Sequence, residues 1–390
     1  MNSHNDKFAQ LAVLAIVLGL LLSLSTLAVA ESEAARAIRA SAATVPTNIP
    51  GIRTYAEPPK GFNPVSATDV DLATYGFPAR PDKQAEPDHY ALWERAMKAA
   101  KVRWNGELKT LPGSRPGMSP AGSSPLPEAV QSETSGPQRI STVNASGVML
   151  TNKQTKWSNK ASFDDISTIM TVPTAELPFD ISSCTAPDYK EFSFVGIDSM
   201  VLAMGDNLDE FIPGVQGGVY GDVPCGGGGP PFYFAEFGWQ YPLSRGFAVN
   251  PGDVFTTEIV ISGGSSAIAY LEDLTTQTFS SYSMSTPGVI GQNAGWIVFR
   301  PCCTGSNNDP YPLANTASIF FNGGWADEGG SVGRQLYPGS QASSTYILTM
   351  TDDEGDQNIE TVNQGSSGYE GLHALFFNTD ACAFVPGCTP

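Results

Sequence analysis

Short runs of apolar and β-branched residues, separated by turn residues, dominate the chain beyond residue 140. The runs are ASFDDISTIMTVP, EFSFVGIDSMVLAM, FTTEIVIS, SSAIAYLEDL, GWIVFRP, ASIFFNGGW, TYILTMTDD and LHALFFN. Many short strands with Gly, Pro, Asn and Asp between them are typical of an antiparallel sandwich or barrel. No amphipathic helix of any length competes with them. The pattern therefore predicts an all-β domain over residues 138–390.

The region before this domain, residues 31–137, is rich in Pro and Ala and has a different pattern. One short helix is predicted near residues 88–104, where apolar residues recur at roughly helical spacing: Tyr90, Leu92, Trp93, Met97 and Ala100. The Pro/Gly/Ser tract that follows, up to residue 137, cannot bury enough apolar surface to order itself and is predicted to be a linker. Two interpretations of this N-terminal region remain: a tether, or a propeptide whose helix docks on the folded domain.

An uncharged apolar segment lies at the start of the chain. It runs from Phe8 to Ala30 and closes with Ala28-Val29-Ala30, the small-x-small pattern that a signal peptidase cuts. We therefore expect residues 1–30 to be a signal peptide and the protein to be secreted or at the cell surface. The alternative is an uncleaved anchor, because about 20 apolar residues can span a bilayer. Only in that case is a membrane contact expected.

The charge distribution excludes one class of partner. The chain carries 21 Lys and Arg against 39 Asp and Glu, with a net charge of -18 and a pI near 4.5. Residues 141–390 hold 26 acidic and 7 basic side chains, so the acidity belongs to the β domain. Such a chain lacks the basic surface that releases counterions from a phosphate backbone, and nucleic-acid binding is not expected.

Six cysteines lie in the β domain, and an even number in an exported chain predicts disulfide bonds. They are Cys184, Cys225, Cys302, Cys303, Cys382 and Cys388. Six cysteines allow 15 pairings, and the sequence does not choose among them. The pair favoured by proximity is Cys382 with Cys388, which enclose a short loop containing Pro386 and Gly387.

Several catalytic and cofactor motifs are absent from the sequence. The chain contains no G-x-S-x-G elbow, H-E-x-x-H pair, P-loop, dinucleotide fingerprint or Cys-x-x-Cys pair. It has three histidines, and only His373 lies in the β domain, which disfavours a serine triad and a zinc site. No cofactor and no metal site are expected.

The order of several segments resembles that of the glutamic endopeptidases, the eqolisins, over about residues 140–375. Each segment alone is weak, and the resemblance rests on their shared order and spacing. The segments are FDDISTIMTVP (163–173), FVGIDS (194–199), VQGGVYGD (215–222), WQYP (239–242), VNPGD (249–253), AYLEDLTTQTF (269–279), NAGWIVFRP (293–301) and PLANTASIFFNGGW (312–325). Residues 61–81 also resemble the leader of bacterial members.

The resemblance implies a concanavalin A-like (jelly-roll) β-sandwich of two antiparallel sheets, one of them concave and able to hold an extended substrate. It also implies a catalytic Gln and Glu that face each other on that sheet. The Glu acts on a water molecule as general base and then as general acid, while the Gln amide positions the water and stabilises the oxyanion. Gln216, in VQGGVYGD, matches the family's glutamine.

The family's glutamate has no counterpart at its expected position. Where the family has N-A-E-W-I-V-E, this chain has NAGWIVF at 293–299, so Gly295 occupies the glutamate position. Strand alternation puts Gly295, Ile297 and Phe299 on one face. The floor of the groove is therefore expected to present an exposed aromatic side chain and no proton-transfer group.

The favoured interpretation is a catalytically inactive relative that binds an extended peptide or a polysaccharide in the groove. The candidate contacts are Gln216, Trp239, Tyr241 and Phe299, because aromatic rings offer stacking area and the amide offers directional hydrogen bonds. An equally weighted alternative is that these side chains only pack an interface.

Two rival functions stay open. The first is an active acid endopeptidase with a relocated carboxylate, for which Glu236 and Asp222 are the nearest candidates in these motifs. A carboxylate within roughly 6 Å of the Gln216 amide would favour this reading, since one water molecule can bridge that distance. The second is a structural or assembly protein of the cell surface.

Overall fold

The computed structural model describes the following residues: 43–84, 86–111, 138–142, 145–152, 156–159, 161–177, 184, 187–198, 214–225, 229–239, 243–300, 302–304, 309–316, 318–328, 334–336, 345–351, 358–364 and 372–376. The apolar segment Phe8–Ala30 lies outside these residues, so the signal peptide stays a prediction. Among the described residues, no helix is both long enough and apolar enough to cross a membrane.

Short strands make up most of the described chain. There are two α-helices, α1 (Asp69–Thr74) and α2 (Pro87–Ala99), and one 3-10 turn (Pro64–Ser66). The strands, in chain order, are β1 (Thr44–Pro46), β2 (Ile52–Tyr55), β3 (Val102–Arg103), β4 (Lys109–Thr110), β5 (Gln138–Thr142), β6 (Ala145–Thr151), β7 (Phe163–Thr171), β8 (Tyr189–Ile197), β9 (Val215–Val223), β10 (Phe232–Trp239), β11 (Ser244–Val249), β12 (Val254–Ser262), β13 (Ser266–Asp273), β14 (Thr278–Ser285), β15 (Asn293–Phe299), β16 (Cys302–Thr304), β17 (Asp309–Pro310), β18 (Ser318–Glu328), β19 (Arg334–Leu336), β20 (Thr345–Thr351), β21 (Asn358–Gln364) and β22 (Leu372–Phe376).

The strands form two antiparallel layers, which confirms the predicted sandwich. The first layer has the order β11-β10-β9-β8-β15-β6-β20. The second has the order β22-β18-β7-β12-β13-β14. Strand β21 pairs with both β20 and β22 and so joins the layers. Because neighbouring strands lie about 4.8 Å apart, residues far apart in the sequence are brought into rows across each sheet.

Alternation along each strand separates the core between the layers from the outer face. On β15, Ala294, Trp296 and Val298 belong to the inter-layer core, whereas Ile297 and Phe299 belong to a second apolar cluster on the other face. The fully buried Trp296 donates a hydrogen bond from its indole nitrogen to the Ser167 carbonyl on β7, at 3.0 Å. This bond ties the two layers together beneath the outer face of the first layer.

The N-terminal region pairs with both layers. Strands β2 and β3 extend the second layer at β14, and β4 extends the first at β11. Helix α2 buries Trp93 and Met97 in a cluster that includes Phe279 of β14. Helix α2 therefore contacts the β domain in this structure, while the tether and the propeptide both stay interpretations of the region. Its removal as a propeptide stays a prediction.

The helix is shorter than its apolar spacing predicts. It begins at Pro87 and ends at Ala99, whereas the sequence predicted a helix to about residue 104. Val102 and Arg103 instead form β3 and pair in parallel with Thr278 and Phe279. Backbone pairing at the edge of the second layer therefore overrides the helical pattern over the last residues.

One disulfide bond joins Cys184 to Cys225 and closes a loop of 41 residues. Cys225 lies two residues after the end of β9, and its backbone nitrogen donates to the Asp188 carboxylate just before β8, at 2.9 Å. The bond therefore anchors the ends of the two central strands of the first layer. The pair favoured from proximity, Cys382 with Cys388, lies outside the described residues.

Candidate functional site

The face of the first layer that points away from the inter-layer core is called the groove face here. Alternation gives it one residue in two from each strand. Its members near the predicted catalytic position are Phe192, Phe194 and Gly196 of β8, Gln216, Gly218 and Tyr220 of β9, Phe234, Glu236 and Gly238 of β10, and Gly295, Ile297 and Phe299 of β15.

Gln216 lies in a row of residues that contains no acidic side chain. Its cross-strand neighbours are Gly238 on β10 and Gly196 on β8, and Gly196 in turn lies opposite Gly295 on β15. Beyond Gly295 the row continues with Met149, then Tyr346 of β20. Gln216 and Gly295 thus share the groove face two strands apart, about 10 Å. This is the arrangement that the resemblance implied for the Gln and Glu, with glycine in place of the Glu.

The space above Gly295 is partly filled by a neighbouring side chain. A Cβ atom placed on Gly295 would lie 3.2 Å from the Ile297 side chain and 3.4 Å from the Val148 carbonyl oxygen. The nearest obstacle is therefore a flexible side chain, and the backbone itself does not exclude a larger residue.

A carboxyl group does lie beside Gln216, on the other neighbouring strand. Glu236 of β10 faces Gly218 across the β9–β10 pair and is the diagonal neighbour of Gln216. The Gln216 amide nitrogen donates to a Glu236 carboxyl oxygen at 3.3 Å. Gln216 is 5% exposed and Glu236 is 0% exposed, so the pair is closed to solvent.

Burial keeps the Glu236 carboxyl protonated over most of the pH range. Removal from water raises the pKa of Glu236 to about 8, and the hydrogen bond from Gln216 lowers it by less. The second carboxyl oxygen has no hydrogen-bond partner among the described residues. Below about pH 8 the pair is therefore a neutral acid next to an amide.

Asp222 is not brought near Gln216. It lies six residues further along β9, about 20 Å away at the usual rise of a strand. Its carboxylate accepts a hydrogen bond from the Tyr220 hydroxyl at 2.6 Å and lies 3.7 Å from the Lys190 ammonium group. Asp222 thus belongs to a separate polar network at the far end of the strand.

Comparison with known proteins shows the family of this chain. The model of the Peptidase A4 family matches residues 143–367, more than half of the chain. The chain belongs to this family, the eqolisins. Among curated proteins, no sequence matches the chain significantly.

The solved structures to which this eqolisin is similar include three glutamic peptidases. Scytalido-glutamic peptidase with a peptide-based transition state analog is 19% identical and covers 60% of this chain and 98% of its own, with a TM-score of 0.44. SCP-B, an eqolisin in complex with the tripeptide Ala-Ile-His, gives the same four values: 19%, 60%, 98% and 0.44. Aspergilloglutamic peptidase from Aspergillus niger is 20% identical and covers 48% of this chain and 99% of its own, with a TM-score of 0.37.

Phe299 lies on the groove face of this eqolisin but is not the exposed aromatic that the sequence predicted. It is 5% exposed, and its ring centroid lies 6.4 Å from that of Phe192 and 6.3 Å from that of Phe194. Because β8 contributes two phenylalanines and the neighbouring β15 contributes one, all on the same face, the three rings bury one another.

These rings belong to a line of aromatic side chains across the groove face, called the aromatic run here. Successive centroids are 5.2 Å apart from Phe232 to Phe234, 6.3 Å to Tyr220, 4.7 Å to Phe192 and 6.4 Å to Phe299. The run is buried at Phe299 and open at Phe232, which is 36% exposed. Beside the open end lies a cleft of about 440 Å³ lined by residues that include Phe232 and Phe234.

Trp239 lies on the face of β10 that is turned toward the inter-layer core, opposite to the groove face. It pairs with Val215 and packs against the inter-layer core, because it is one residue out of phase with Gly238 of the groove face. A ligand contact at Trp239 stays a prediction, and its position on this face does not support it. Tyr241 lies outside the described residues.

One cation on the groove face was not identified from the sequence. Arg245 of β11 lies directly opposite Glu236, and its guanidinium carbon lies 4.0 Å from the Phe234 ring centroid. The sequence did contain a clue to Arg245, because residues 141–390 have only 7 basic side chains and each of them is therefore notable. Within the part of the chain that the structure describes, no three His, Cys, Asp or Glu side chains cluster as metal ligands would.

Proposed function

We propose that this protein is a non-catalytic eqolisin that holds an extended peptide against its groove face. The observation that carries the proposal is the row through Gln216, which has glycine at position 295 and no acidic side chain among its members. Membership of the eqolisin family supports a sheet that can hold an extended peptide. Because position 295 is glycine, the row lacks the carboxylate that would activate a water molecule.

The neighbouring carboxyl does not replace the lost one in acid. A general base must be ionised to accept a proton from water, and Glu236, with a pKa of about 8, is neutral at acidic pH. It also has no exposed surface on which a water molecule could be held for attack. The Gln216–Glu236 pair is therefore better suited to hydrogen bonding than to proton transfer below pH 8.

Binding rests on the aromatic run. Aromatic rings bury a large area on contact and lose little side-chain entropy, which makes them frequent energetic centres of interfaces. The half-buried Phe234 lies between the exposed Phe232 and the buried Tyr220. A peptide bound in the cleft would therefore contact Phe234. A polysaccharide is the alternative ligand for such a surface.

Titration calorimetry of the full chain with an uncharged octapeptide tests this proposal. We expect Phe234→Ser to weaken binding by about tenfold or more, as at an aromatic hot spot. Phe62→Ser, which alters a similarly half-buried phenylalanine of the N-terminal region, is the matched control and is expected to bind normally. Binding that is equal in both variants, or binding of a neutral polysaccharide in place of the peptide, would contradict the proposal.

One observation favours a second candidate, a peptidase that uses Glu236. The 3.3 Å contact brings a carboxyl and the Gln216 amide together on the groove face. Because the pKa of Glu236 is about 8, such an enzyme would gain activity as the pH rises through about 8 and would be inactive in acid. Cleavage with this profile, abolished by Glu236→Gln and Gln216→Ala, is the expected result for the second candidate. An absence of cleavage between pH 6 and pH 10 would eliminate it.

We also propose that the protein is exported. The apolar segment Phe8–Ala30 supports this, and the Cys184–Cys225 disulfide is consistent with an oxidising compartment. The mass of the protein recovered outside the cytoplasm should correspond to a chain that begins at Glu31. Recovery of the full-length chain in the membrane fraction would support the anchor instead.

A further inference from the structure

Arg245 is a positioned cation that has no anionic partner among the residues that the structure describes. It is half-buried, its guanidinium group stacks over Phe234 at 4.0 Å, and no ion pair or hydrogen bond links its side chain to the other described residues. Stacking on an aromatic face leaves the N–H edge of a guanidinium group free to bind a carboxylate with two parallel hydrogen bonds. The stacking also fixes the side chain before any ligand arrives.

A second cation lies beside it and comes from the N-terminal region. Lys109 of β4 is the direct cross-strand partner of Arg245, so the two side chains are on the same face. The next residues hold β4 in place: the Leu111 backbone nitrogen donates to the Leu243 carbonyl at 2.9 Å, and Leu111 is buried in the groove-face cluster. The N-terminal region is therefore part of the groove face.

The two cations are not neutralised by their neighbours. Like charges on directly opposed strand positions repel each other, which destabilises the pair unless an anion is present. Within the described strands, the one acidic side chain directly opposite either of them is Glu236, which burial keeps protonated below about pH 8. In a chain with a net charge of -18, two adjacent cations without counter-charge are unusual.

From this juxtaposition we infer that Arg245 and Lys109 form a carboxylate-binding subsite of the groove, and that the peptide bound there is acidic. The inference rests on the proposed function and narrows its ligand class. A carboxylate bound by the guanidinium fork would lie next to the Phe232 and Phe234 rings, which is where the run is open. The subsite needs both the β domain, for Arg245, and the N-terminal region, for Lys109.

The test uses the full chain and two octapeptides that differ only by Gln→Glu at two positions. Hydrogen bonds to charged groups are stronger than those between neutral groups, so we expect the acidic peptide to bind at least about tenfold more tightly than the neutral one at low salt. Arg245→Gln should remove most of this preference and Lys109→Gln part of it, measured for each variant as the ratio of the two dissociation constants, neutral over acidic peptide. Raising the salt concentration to about 1 M should have a similar effect, because it shortens the screening length to about 3 Å.

Two further variants separate a binding role from a structural one. Arg245→Lys keeps the charge but loses the fork and is expected to give an intermediate preference. Arg95→Gln, an exposed cation on α2 outside the groove face, is the control and should leave the preference intact.

The outcomes distinguish this inference from the proposed function. Equal binding of both peptides would overturn the subsite and leave the proposed function standing. If neither peptide binds, both are overturned. Arg245-dependent binding of polygalacturonate without binding of the acidic peptide would overturn the assignment of a peptide as the ligand.

Discussion

Gln216 donates a hydrogen bond to Glu236 on the adjacent strand, 3.3 Å away, and the two side chains fill the centre of the groove face. The two positions that the family resemblance implied for the Gln and the Glu are 216 and 295, and one strand lies between them in this structure. In this chain that strand offers only Gly196, and position 295 beyond it is glycine. The Gln216 amide therefore contacts a carboxyl group that burial keeps neutral below about pH 8.

Glu236 should make the protein more stable in mild acid than at pH 8. Its pKa is about 8 in the folded chain against 4.5 in the unfolded one, so between these values only the unfolded chain is ionised. Folding stability is therefore lost as the pH rises through this window, by up to roughly 1.4 kcal/mol per pH unit. Glu236→Gln should reduce the slope, which denaturant titrations at pH 5 and pH 8 would measure.

Glu191 provides a comparison for that experiment. Glu191 is buried in β8, and burial raises its pKa to about 7. Its contribution to the pH dependence of folding stability should therefore end near pH 7. Glu191→Gln is expected to reduce the loss of unfolding free energy with rising pH below pH 7. The change in unfolding free energy between pH 7 and pH 8 should stay the same as in the parent. If Glu236→Gln had no effect on the slope, the assignment of a neutral Glu236 would be incorrect.

Replacing Gly295 by glutamate should restore an acidic side chain to the row of Gln216. The new Cβ would meet the Ile297 side chain at 3.2 Å, so we expect a folded variant that loses about 1–3 kcal/mol through overpacking. We expect Gly295→Glu to gain measurable peptide hydrolysis at acidic pH, assayed with a quenched fluorescent peptide. Gly295→Ala is the control, with no gain in hydrolysis. A folded but inactive Gly295→Glu would show that the rest of the machinery is missing as well.

Arg103 should hold the N-terminal region on the second layer. It is 9% exposed, lies 4.5 Å from the Phe279 ring centroid and donates a hydrogen bond to the Ser281 hydroxyl at 3.1 Å. Arg103→Met should lower the stability of docking by about 2 kcal/mol or more and speed proteolysis of residues 43–111. The exposed Arg95, changed to Met, should leave the proteolysis rate unaltered. Equal rates for both variants would mean that Arg103 does not hold this region.

The Cys184–Cys225 bond should contribute substantially to stability. It closes a loop of 41 residues, for which the chain-entropy model gives about 4 kcal/mol. Replacing both cysteines by serine should lower the melting temperature, and a reducing agent should lower that of the parent to a similar value. A melting temperature that does not respond to either change would contradict this pairing.

The fold could be predicted from sequence because its determinants are local. Alternation along 293–299 gives the correct faces for Trp296 and Phe299. Short apolar runs between turn residues predict an all-β domain, and the family resemblance implied that it is a sandwich. The end of helix α2 could not be predicted, because it depends on pairing of Val102 with the distant Thr278.

The site could be predicted only where alternation and resemblance agree. Gln216 and Gly295 fall on one face as expected, but the register that brings Glu236 next to Gln216 depends on cross-strand pairing between β9 and β10. A one-residue difference in phase places the half-buried Trp239 against the core, and no motif match reveals this. The burial of Phe299 likewise depends on rings from other strands.

The most direct test of the central claim is peptide-bond hydrolysis by the full chain from pH 3 to pH 9, with products identified by mass spectrometry. The parent, Gln216→Ala and Glu236→Gln should be indistinguishable, with no cleavage product at any pH. Cleavage by the parent that disappears in both variants would contradict the account and identify the Gln216–Glu236 pair as catalytic.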